Sequence, residues 1–267
     1  MNNTPEVKEH LFFDLIKIKT MNRLRRALKH NKREAPKELE AALHIDGAKT
    51  PLNYSLLGVS TSSDLLTHTE NALWSYQKNI GKAVRHDAVV AIEVLFSVPI
   101  AKSEIDLHQY FADCLAWATT EFFPAEPLSA EVHLDESNPH VHLIFLCVTH
   151  SRLVASMVTG NKRKYRSRRE NFYTQVAQKY GLELPPPALN RKDRKRLAQQ
   201  VIEHFQQTND PITLSKHYPA ICESVQKNPA PFAASLGLVF LPTAPKMRTL
   251  TQIFTSKGRG TQFRGST

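Results

Sequence analysis

Apolar and polar residues alternate over 87–98, and this alternation predicts a β-strand with one buried face. The apolar positions that share that face are Ile92, Val94, Phe96 and Val98. Two later apolar runs, 128–132 and 143–148, predict a pair of strands joined by a polar turn. Another apolar run at 11–18 predicts a strand near the start of the chain.

Helical spacing of apolar residues predicts helices between these strands. Over 21–33, Leu24 and Leu28 share one side of a helix. Ser103 offers an N-cap for a second helix, which extends past Trp117. The order strand, helix, strand, strand predicts an α+β fold with an antiparallel sheet. We expect its helices on one face, with the other face left free for a ligand.

Three prolines at 185–187 are the best candidate for a linker. The sequence therefore predicts a main domain over 1–184 and a second region over 185–267. That region begins with the linker and continues with a short, basic, helical extension, with helices expected over 192–206 and 212–226. Because the residues after Pro242 have low apolar density, we expect a flexible tail.

The chain of 267 residues has a formal net charge of +10. Such a balance favours a polyanionic partner, either nucleic acid or an acidic membrane surface. Its three cysteines show no metal-binding spacing, which is typical of reduced thiols and predicts a cytoplasmic protein. We expect no signal peptide and no membrane span, because no uncharged apolar run reaches about 18 residues.

The segment HLDESNPHVH at 133–142 carries three histidines around the predicted turn. His140 and His142 lie on the same side of one strand because strand side chains alternate. An antiparallel partner strand can bring His133 opposite this pair. Three imidazoles on one face predict a divalent-metal site with positions left open for a substrate. The alternative is a solvated hairpin surface, which is disfavoured because a polar pair entering a buried strand costs free energy unless something binds it.

Three segments together resemble the Mob/Pre family of plasmid mobilisation and recombination proteins, the MobV-type relaxases within the His-hydrophobic-His (HUH) endonucleases. They are ALKHNKR at 27–33, PLNY at 51–54 and HLDESNPHVH at 133–142. The segment RHDAVVAIE at 85–93 looks like the family's central strand. The resemblance covers about residues 10 to 184 of the chain.

This resemblance implies an HUH-endonuclease-like central antiparallel sheet with flanking helices. It implies an enzyme that nicks one DNA strand at an origin, stays covalently attached to the new 5′ end and later rejoins the strand. The implied cofactor is Mn²⁺ or Mg²⁺. The implied partners are single-stranded or supercoiled origin DNA, together with accessory proteins of the host or plasmid.

The family's site residues carry over by position. His133, His140 and His142 match the metal histidines, and Glu136 matches an acidic position that coordinates or orients. His30 matches the histidine that acts as nucleophile. The residues that we expect to contact DNA are Arg26, Asn31, Arg33, Asn53, Tyr54, Lys162, Arg163 and Lys164.

Simple electrostatics supports a nucleophilic role for His30. Arg26, Lys29 and Arg33 lie on the same predicted helical face, and their positive charges should lower the pKa of the imidazole. The same cations would hold the phosphates of the scissile strand. The basic run 162–169 would form a single-strand groove in which Tyr165 stacks on a base, and 191–196 would extend it.

Several alternatives stay open at this point. Tyrosine is the competing nucleophile, with Tyr54 the nearest candidate by position and Tyr165 and Tyr173 behind it. His30 could also be one more cation on a solvated helix.

Glu93 either supports the site or is a surface charge, and Asp135 is left unassigned. A rolling-circle replication initiator shares the nicking chemistry. A non-catalytic DNA-binding protein with a structural metal would need a closed site, usually with a cysteine, and Cys147 is predicted on the opposite strand face.

Overall fold

The computed structural model describes residues 10–35, 42, 44–99, 104–185 and 189–241. The chain divides between Pro185 and Pro186 into two compact units. The first unit contains β1 Phe12–Ile18, α1 Met21–Asn31, β2 Tyr54–Ser55, α2 Ser62–Ile80, β3 Ala91–Ser97, α3 Leu107–Glu121, β4 Glu126–His133, β5 His140–Leu146, α4 Ala155–Thr159 and α5 Lys162–Gln175. The predicted N-cap Ser103 lies outside the described residues, and Asp106 caps α3.

The five described strands form one antiparallel sheet in the order β1-β3-β5-β4-β2. One face carries the main core, where the predicted apolar face of β3 packs against α3, α4 and α5. Phe96 and Phe172 meet there at a ring-centroid distance of 4.6 Å. The predicted α+β fold with a central antiparallel sheet and flanking helices is confirmed.

Helices also cover part of the opposite face, so the expectation that helices lie on one face only is wrong. Leu24 and Leu28 of α1 are fully buried, and Leu66 of α2 is buried beside them. All three belong to one apolar cluster with Ile144 and Leu146 of β5. These two β5 residues are apolar and lie at one end of the strand. The helices stabilise the fold there because they remove this apolar surface from water. The other end of the same face is polar and stays open.

Local sequence signals set the ends of α1. Its first turn is capped by Thr20, whose side chain accepts a hydrogen bond from the backbone NH of Arg23. The helix ends at Asn31, and Arg33 adopts a left-handed backbone conformation with φ of 56°. This turn ends α1 beside the polar end of the sheet, where the backbone oxygen of Asn31 meets His133.

The second unit has its own small core. It contains α6 Arg191–Gln207, α7 Tyr218–Lys227 and α8 Ala230–Ser235. Val201 and Phe205 of α6 pack against Val225 and Ala233. The helix expected over 192–206 is confirmed, whereas the one expected over 212–226 begins only at Tyr218, after a short 3-10 turn at Pro211–Leu214.

The predictions of a proline linker and of a flexible tail fall largely on residues outside the described ranges. Pro186 and Pro187 of the predicted linker, and the predicted tail after Pro242, lie outside the described residues. Across the described part of the chain, no helix combines the length and apolar character that a membrane crossing requires.

Candidate metal centre and active site

Two rows of mostly polar residues cross the open end of the sheet. Antiparallel register makes the members of each row neighbours on one face. The first row is Phe12, Ser97, His140 and His133, and the second is Asp14, Leu95, His142 and Glu131. The three histidines of 133–142 therefore converge, as the strand alternation predicts.

The three imidazoles face one another at short range. Each offers a ring nitrogen, and these ligand atoms all lie within 4.8 Å of one another. Ring-centroid distances are 5.1 Å for His133 and His140, and 4.9 Å from His142 to either of them. This spacing suits a single ion at the centre of the group.

In each imidazole, one nitrogen donates a hydrogen bond, which leaves the lone pair on the other nitrogen. His133 Nε2 donates to the backbone oxygen of Asn31 at 2.7 Å, and His140 Nδ1 donates to that of Asn138 at 2.8 Å. His142 Nδ1 lies 2.8 Å from Glu93 Oε1 and donates to it. Because these oxygens only accept, the opposite nitrogen of each ring keeps its lone pair for a ligand.

The remaining nitrogens fit a cation. His133 Nδ1 and His140 Nε2 lie 3.3 Å apart, and two lone pairs at that distance repel unless a positive charge lies between or beside them. Burial and the neighbouring His142 lower the pKa of His133 to about 2. Burial also lowers the pKa of His140. Both rings are therefore neutral at pH 7, as metal ligation requires.

Glu136 lies at the edge of the same centre. Its Oε1 is 4.0 Å from His133 Nδ1 and 4.0 Å from His140 Nε2. The same oxygen accepts a hydrogen bond from Arg33 Nη2 at 2.9 Å. The carboxylate can therefore reach a bound ion directly or through water while it holds the guanidinium.

His30 projects from the last turn of α1 over the histidines. Its ring centroid is 6.1 Å from that of His133 and 6.0 Å from that of His142. Burial lowers its pKa, and the positive charge of Arg33 lowers it further. The predicted direction is confirmed, but Arg26 and Lys29 are not among the causes. Burial contributes most because one side of the ring packs over the histidines of the sheet, while the other lines the open groove.

Arg33 is inside the site, and the prediction that it shares a helical face with Arg26 and Lys29 is wrong, because the helix ends at Asn31. Its side chain is 6% exposed and bridges Asp135 at 2.6 Å and Glu136 at 2.9 Å. Arg33 Nη1 also lies 3.5 Å from His30 Nε2. Because a guanidinium only donates, this contact favours a lone pair on that nitrogen.

Asp135 is a functional residue that sequence reasoning missed. It accepts hydrogen bonds from Arg33 Nε and Nη2, from Thr50 Oγ1 at 2.9 Å and from Asn53 Nδ2 at 2.8 Å. Hydrogen bonds from Arg33 and Asn53 outweigh the effect of burial and lower its pKa to about 2. The acidic neighbour Glu136, which the resemblance places in the site, was one indication that Asp135 belongs there too. However, a carboxylate at the end of a strand more often only stabilises a turn.

Asn31 supports the histidines from inside, which corrects the prediction that it contacts DNA. It is 3% exposed, and its amide donates to Glu93 Oε1 at 3.0 Å. Glu93 in turn holds His142, and these two hydrogen bonds keep its pKa low against the effect of burial. Glu93 therefore supports the site, which resolves the alternative that the sequence left open.

Asn53 and Tyr54 stay predicted DNA contacts, and each also has a role within the fold. Asn53 holds the β4–β5 turn, since its Oδ1 accepts from the backbone NH of Leu134 at 2.8 Å. Tyr54 pairs with Val132 in the register and packs on the main core, the face opposite the histidines. Its ring stacks on His108 at 5.5 Å, and burial raises its pKa. Tyr54 is therefore badly placed to replace His30.

The basic run at the start of α5 is not part of this cluster. Lys162, Arg163 and Lys164 are exposed, but α5 packs on the main core side of the sheet. Tyr165 stacks on Phe13 at 5.4 Å and donates to its backbone oxygen, so the predicted base stacking is wrong. Arg26 is exposed on α1 and stays a predicted DNA contact.

A closed structural metal site is disfavoured by the same geometry. Cys147 lies in the main core, on the face opposite His140 and His142, as the alternation predicts. Near the histidines, the described part of the chain leaves a groove of about 410 Å³. Its walls include Phe12, His30, Leu95, Glu136, His140 and His142.

Comparison with known proteins adds an independent line of evidence. The sequence model of the family described as plasmid recombination enzyme, Mob_Pre, matches residues 8–209. Plasmid recombination enzyme type 1 of Staphylococcus aureus is 28% identical over 180 residues, 66% of this chain and 43% of that protein. The type 3 enzyme of Staphylococcus aureus is 30% identical over 145 residues, 52% of this chain and 35% of that protein. The chain thus spans less than half the length of these relatives.

Solved structures with the same fold are relaxase domains. The Mn-bound MobM relaxase domain in complex with plasmid pMV158 oriT DNA, at pH 6.8, gives a TM-score of 0.57 at 21% identity. The match covers 67% of this chain and 91% of that domain. The same domain at pH 5.5 also gives 0.57, at 20% identity, over 68% of this chain and 95% of that one. This likeness shows the fold.

Proposed function

Because the chain belongs to the plasmid recombination enzyme (Mob/Pre) family, we propose that it is a metal-dependent relaxase that nicks and rejoins one DNA strand at a plasmid or mobile-element origin. The observation that carries this proposal is one groove shared by His30 and the ligand histidines His140 and His142. A nucleophile and a metal site that open onto the same groove can act on one phosphate.

The metal would be held by His133, His140 and His142, with Glu136 beside them. We assign Mn²⁺ or Mg²⁺ to this site, in keeping with the Mn-bound MobM domain. When bound, such a cation neutralises a non-bridging phosphate oxygen and so reduces the repulsion that an incoming nucleophile meets. The open side of the site leaves room for that oxygen.

His30 supplies the attacking nitrogen in this proposal. Its lone pair forms a bond to phosphorus while the bond from phosphorus to the 3′ oxygen breaks. The phosphorylated ring, which is then cationic, releases its N–H proton to water, and the released 3′ oxygen takes up a proton from water. The product is a phosphoramidate that links the imidazole to the new 5′ end. Rejoining is the reverse reaction, in which the 3′ hydroxyl attacks and the P–N bond breaks. The lowered pKa of His30 keeps the ring neutral, and Arg33 holds it in place.

The proposal is tested with purified protein and supercoiled DNA from the replicon that encodes the chain. We expect nicking with Mn²⁺ or Mg²⁺, and loss of nicking with EDTA. A denaturing gel with the strand labelled on the 3′ side of the nick should show a protein–DNA adduct. His30→Ala should abolish that adduct while DNA binding falls by less than about tenfold, since one side chain among many contacts is removed.

Tyr54→Phe is the matched control for the nucleophile, and we expect it to keep the adduct. The linkage gives a second criterion, because a phosphoramidate hydrolyses in acid whereas a tyrosyl phosphate is stable there. An acid-stable adduct that survives His30→Ala would refute the assignment of His30. Nicking that persists in EDTA would refute the metal site.

A further inference from the structure

Phe12 lies in the same row of the sheet as two of the ligand histidines. The register pairs Phe12 with Ser97, Ser97 with His140, and His140 with His133. Adjacent strands are about 4.8 Å apart, so Phe12 is about 10 Å from His140 across the sheet. The side chain lines the same groove as His30, His140 and His142.

The ring of Phe12 is exposed, unlike that of its neighbour. Phe13 is 5% exposed and contacts the rings of Phe96, Trp117, Tyr165 and Phe172. Phe12 is 47% exposed, and none of the described aromatic residues pairs with its ring. A single exposed apolar side chain is ordinary on a protein surface. An unpaired aromatic ring in the wall of a polar active-site groove is a stacking surface.

We propose that Phe12 forms a nucleobase subsite, on which one base near the scissile phosphate stacks. This rests on the proposed nicking function and adds how the strand is positioned. About 10 Å corresponds to about three nucleotides at about 3.4 Å each in stacked DNA. The ring can therefore take a base from the strand whose phosphate lies at His30. Leu95, the neighbour of His142 in the adjacent row, lines the same groove and extends the apolar surface.

The chemistry of the site favours a base over other ligands. Phosphates would be drawn to cations, and Phe12 offers none. A base presents a flat, apolar face whatever its sequence, and aromatic stacking changes affinity by about 5- to 100-fold per base. Phe12 would thus fix the path of the strand through the groove without selecting one base strongly.

The test is a double-mutant cycle between the protein and the DNA. After the nick is mapped on wild-type protein, a series of oligonucleotides is made in which one base at a time is replaced by an abasic site. We expect Phe12→Ala to weaken binding of the intact strand by about 5- to 100-fold. At one position within about three nucleotides of the nick, the abasic change should weaken wild-type binding equally and leave Phe12→Ala binding unaffected.

Two further variants complete the design. Ile16→Ala is the matched control, because Ile16 is 49% exposed on the same face of β1 and its side chain is not part of the groove. It should bind like the wild type. Phe12→Trp should keep the affinity and show fluorescence quenching on binding, which checks the subsite even if Phe12→Ala is less stable.

The outcomes are distinguishable. Suppose that the wild type nicks the strand but Phe12→Ala and every abasic change lower the DNA affinity independently. This result would overturn the subsite alone. Absence of nicking by the wild type would overturn the proposed function and the subsite with it. Coupling between Phe12→Ala and the abasic change at a single base, with no effect of Ile16→Ala on binding, would support both the subsite and the proposed function.

Discussion

At the residue scale, the decisive feature is the backbone conformation of Arg33. A helix continued through this residue would place its side chain near Arg26 and Lys29, toward solvent. Its positive φ of 56° ends the helix and turns the guanidinium toward Asp135 and Glu136. A residue that the sequence assigns to DNA contact thus becomes the link between the acidic turn and His30.

This arrangement predicts a pH-dependent loss of stability for Asp135→Asn. The folded-state pKa of Asp135 lies at about 2, below its ordinary value, so the ionised form stabilises the fold. That stability is fully present above about pH 5 and is lost as the pH falls toward 2. At pH 7, the variant should lose about 2 kcal/mol of unfolding free energy. The difference from wild type should shrink at pH 3, as measured by urea denaturation.

Asp87→Asn is the control for this change, because Asp87 pairs with Arg85 at an exposed position. Exposed ion pairs contribute little to stability, so this variant should unfold like the wild type at both pH values. If Asp135→Asn lost the same amount at pH 3 as at pH 7, the ion pair with Arg33 would not be the cause.

At the element scale, strand alternation predicts most of the metal site. His140 and His142 are one strand period apart, and the hairpin pairs His133 with His140, so the convergence of the three follows once the hairpin is assigned. The cover of that face could not be predicted in the same way. It depends on how α1 crosses the sheet. Helical periodicity predicts which side of a helix is buried, but not which surface that side packs against. For that reason the sequence left the roles of Glu93 and Asp135 undecided and did not predict that Asn31 holds Glu93.

The last turn of α1 should control metal affinity through Asn31. Its amide orients Glu93, which fixes the tautomer of His142. Loss of such outer hydrogen bonds typically lowers metal affinity about 10- to 100-fold. We expect Asn31→Ala to weaken Mn²⁺ binding by that amount in isothermal titration calorimetry.

Two variants show whether this effect is specific. Asn22→Ala changes an exposed residue of the same helix and should leave Mn²⁺ affinity unchanged. Glu93→Gln keeps an acceptor for His142 but removes its charge, so we expect a smaller loss than for Asn31→Ala. Unaltered Mn²⁺ affinity in a folded Asn31→Ala variant would show that α1 does not orient the ligands.

At the scale of the whole molecule, charge and chemistry are distributed over different surfaces. The basic start of α5 is on the main core side of the sheet, and the histidines lie on the other side. Sequence alone does not reveal this separation, because a run of lysine and arginine carries no information about which face receives it. Arg168 illustrates the point, since it is 2% exposed and pairs with Glu121 inside the fold.

The second unit carries a basic surface of its own. Arg191, Arg194 and Lys195 share one face of α6 and line a groove of about 430 Å³ with Gln226 of α7. None of these three cations forms an ion pair with another residue in the described ranges. They remain available for phosphates, in line with the interpretation of 191–196 as a DNA-contacting segment.

Neutralising this surface should lower DNA affinity in a salt-dependent way. Each phosphate contact contributes about 0.7 to the slope of log affinity against log salt for single strands, so Arg191→Gln with Lys195→Gln should reduce the slope by about 1.4. Lys216→Gln with Lys227→Gln changes the same net charge in the same unit, at exposed positions outside the groove, and should leave the slope nearly unaltered. Fluorescence anisotropy over a salt series measures both. Equal slopes for the two double variants would mean that the groove acts only through net charge and makes no phosphate contacts.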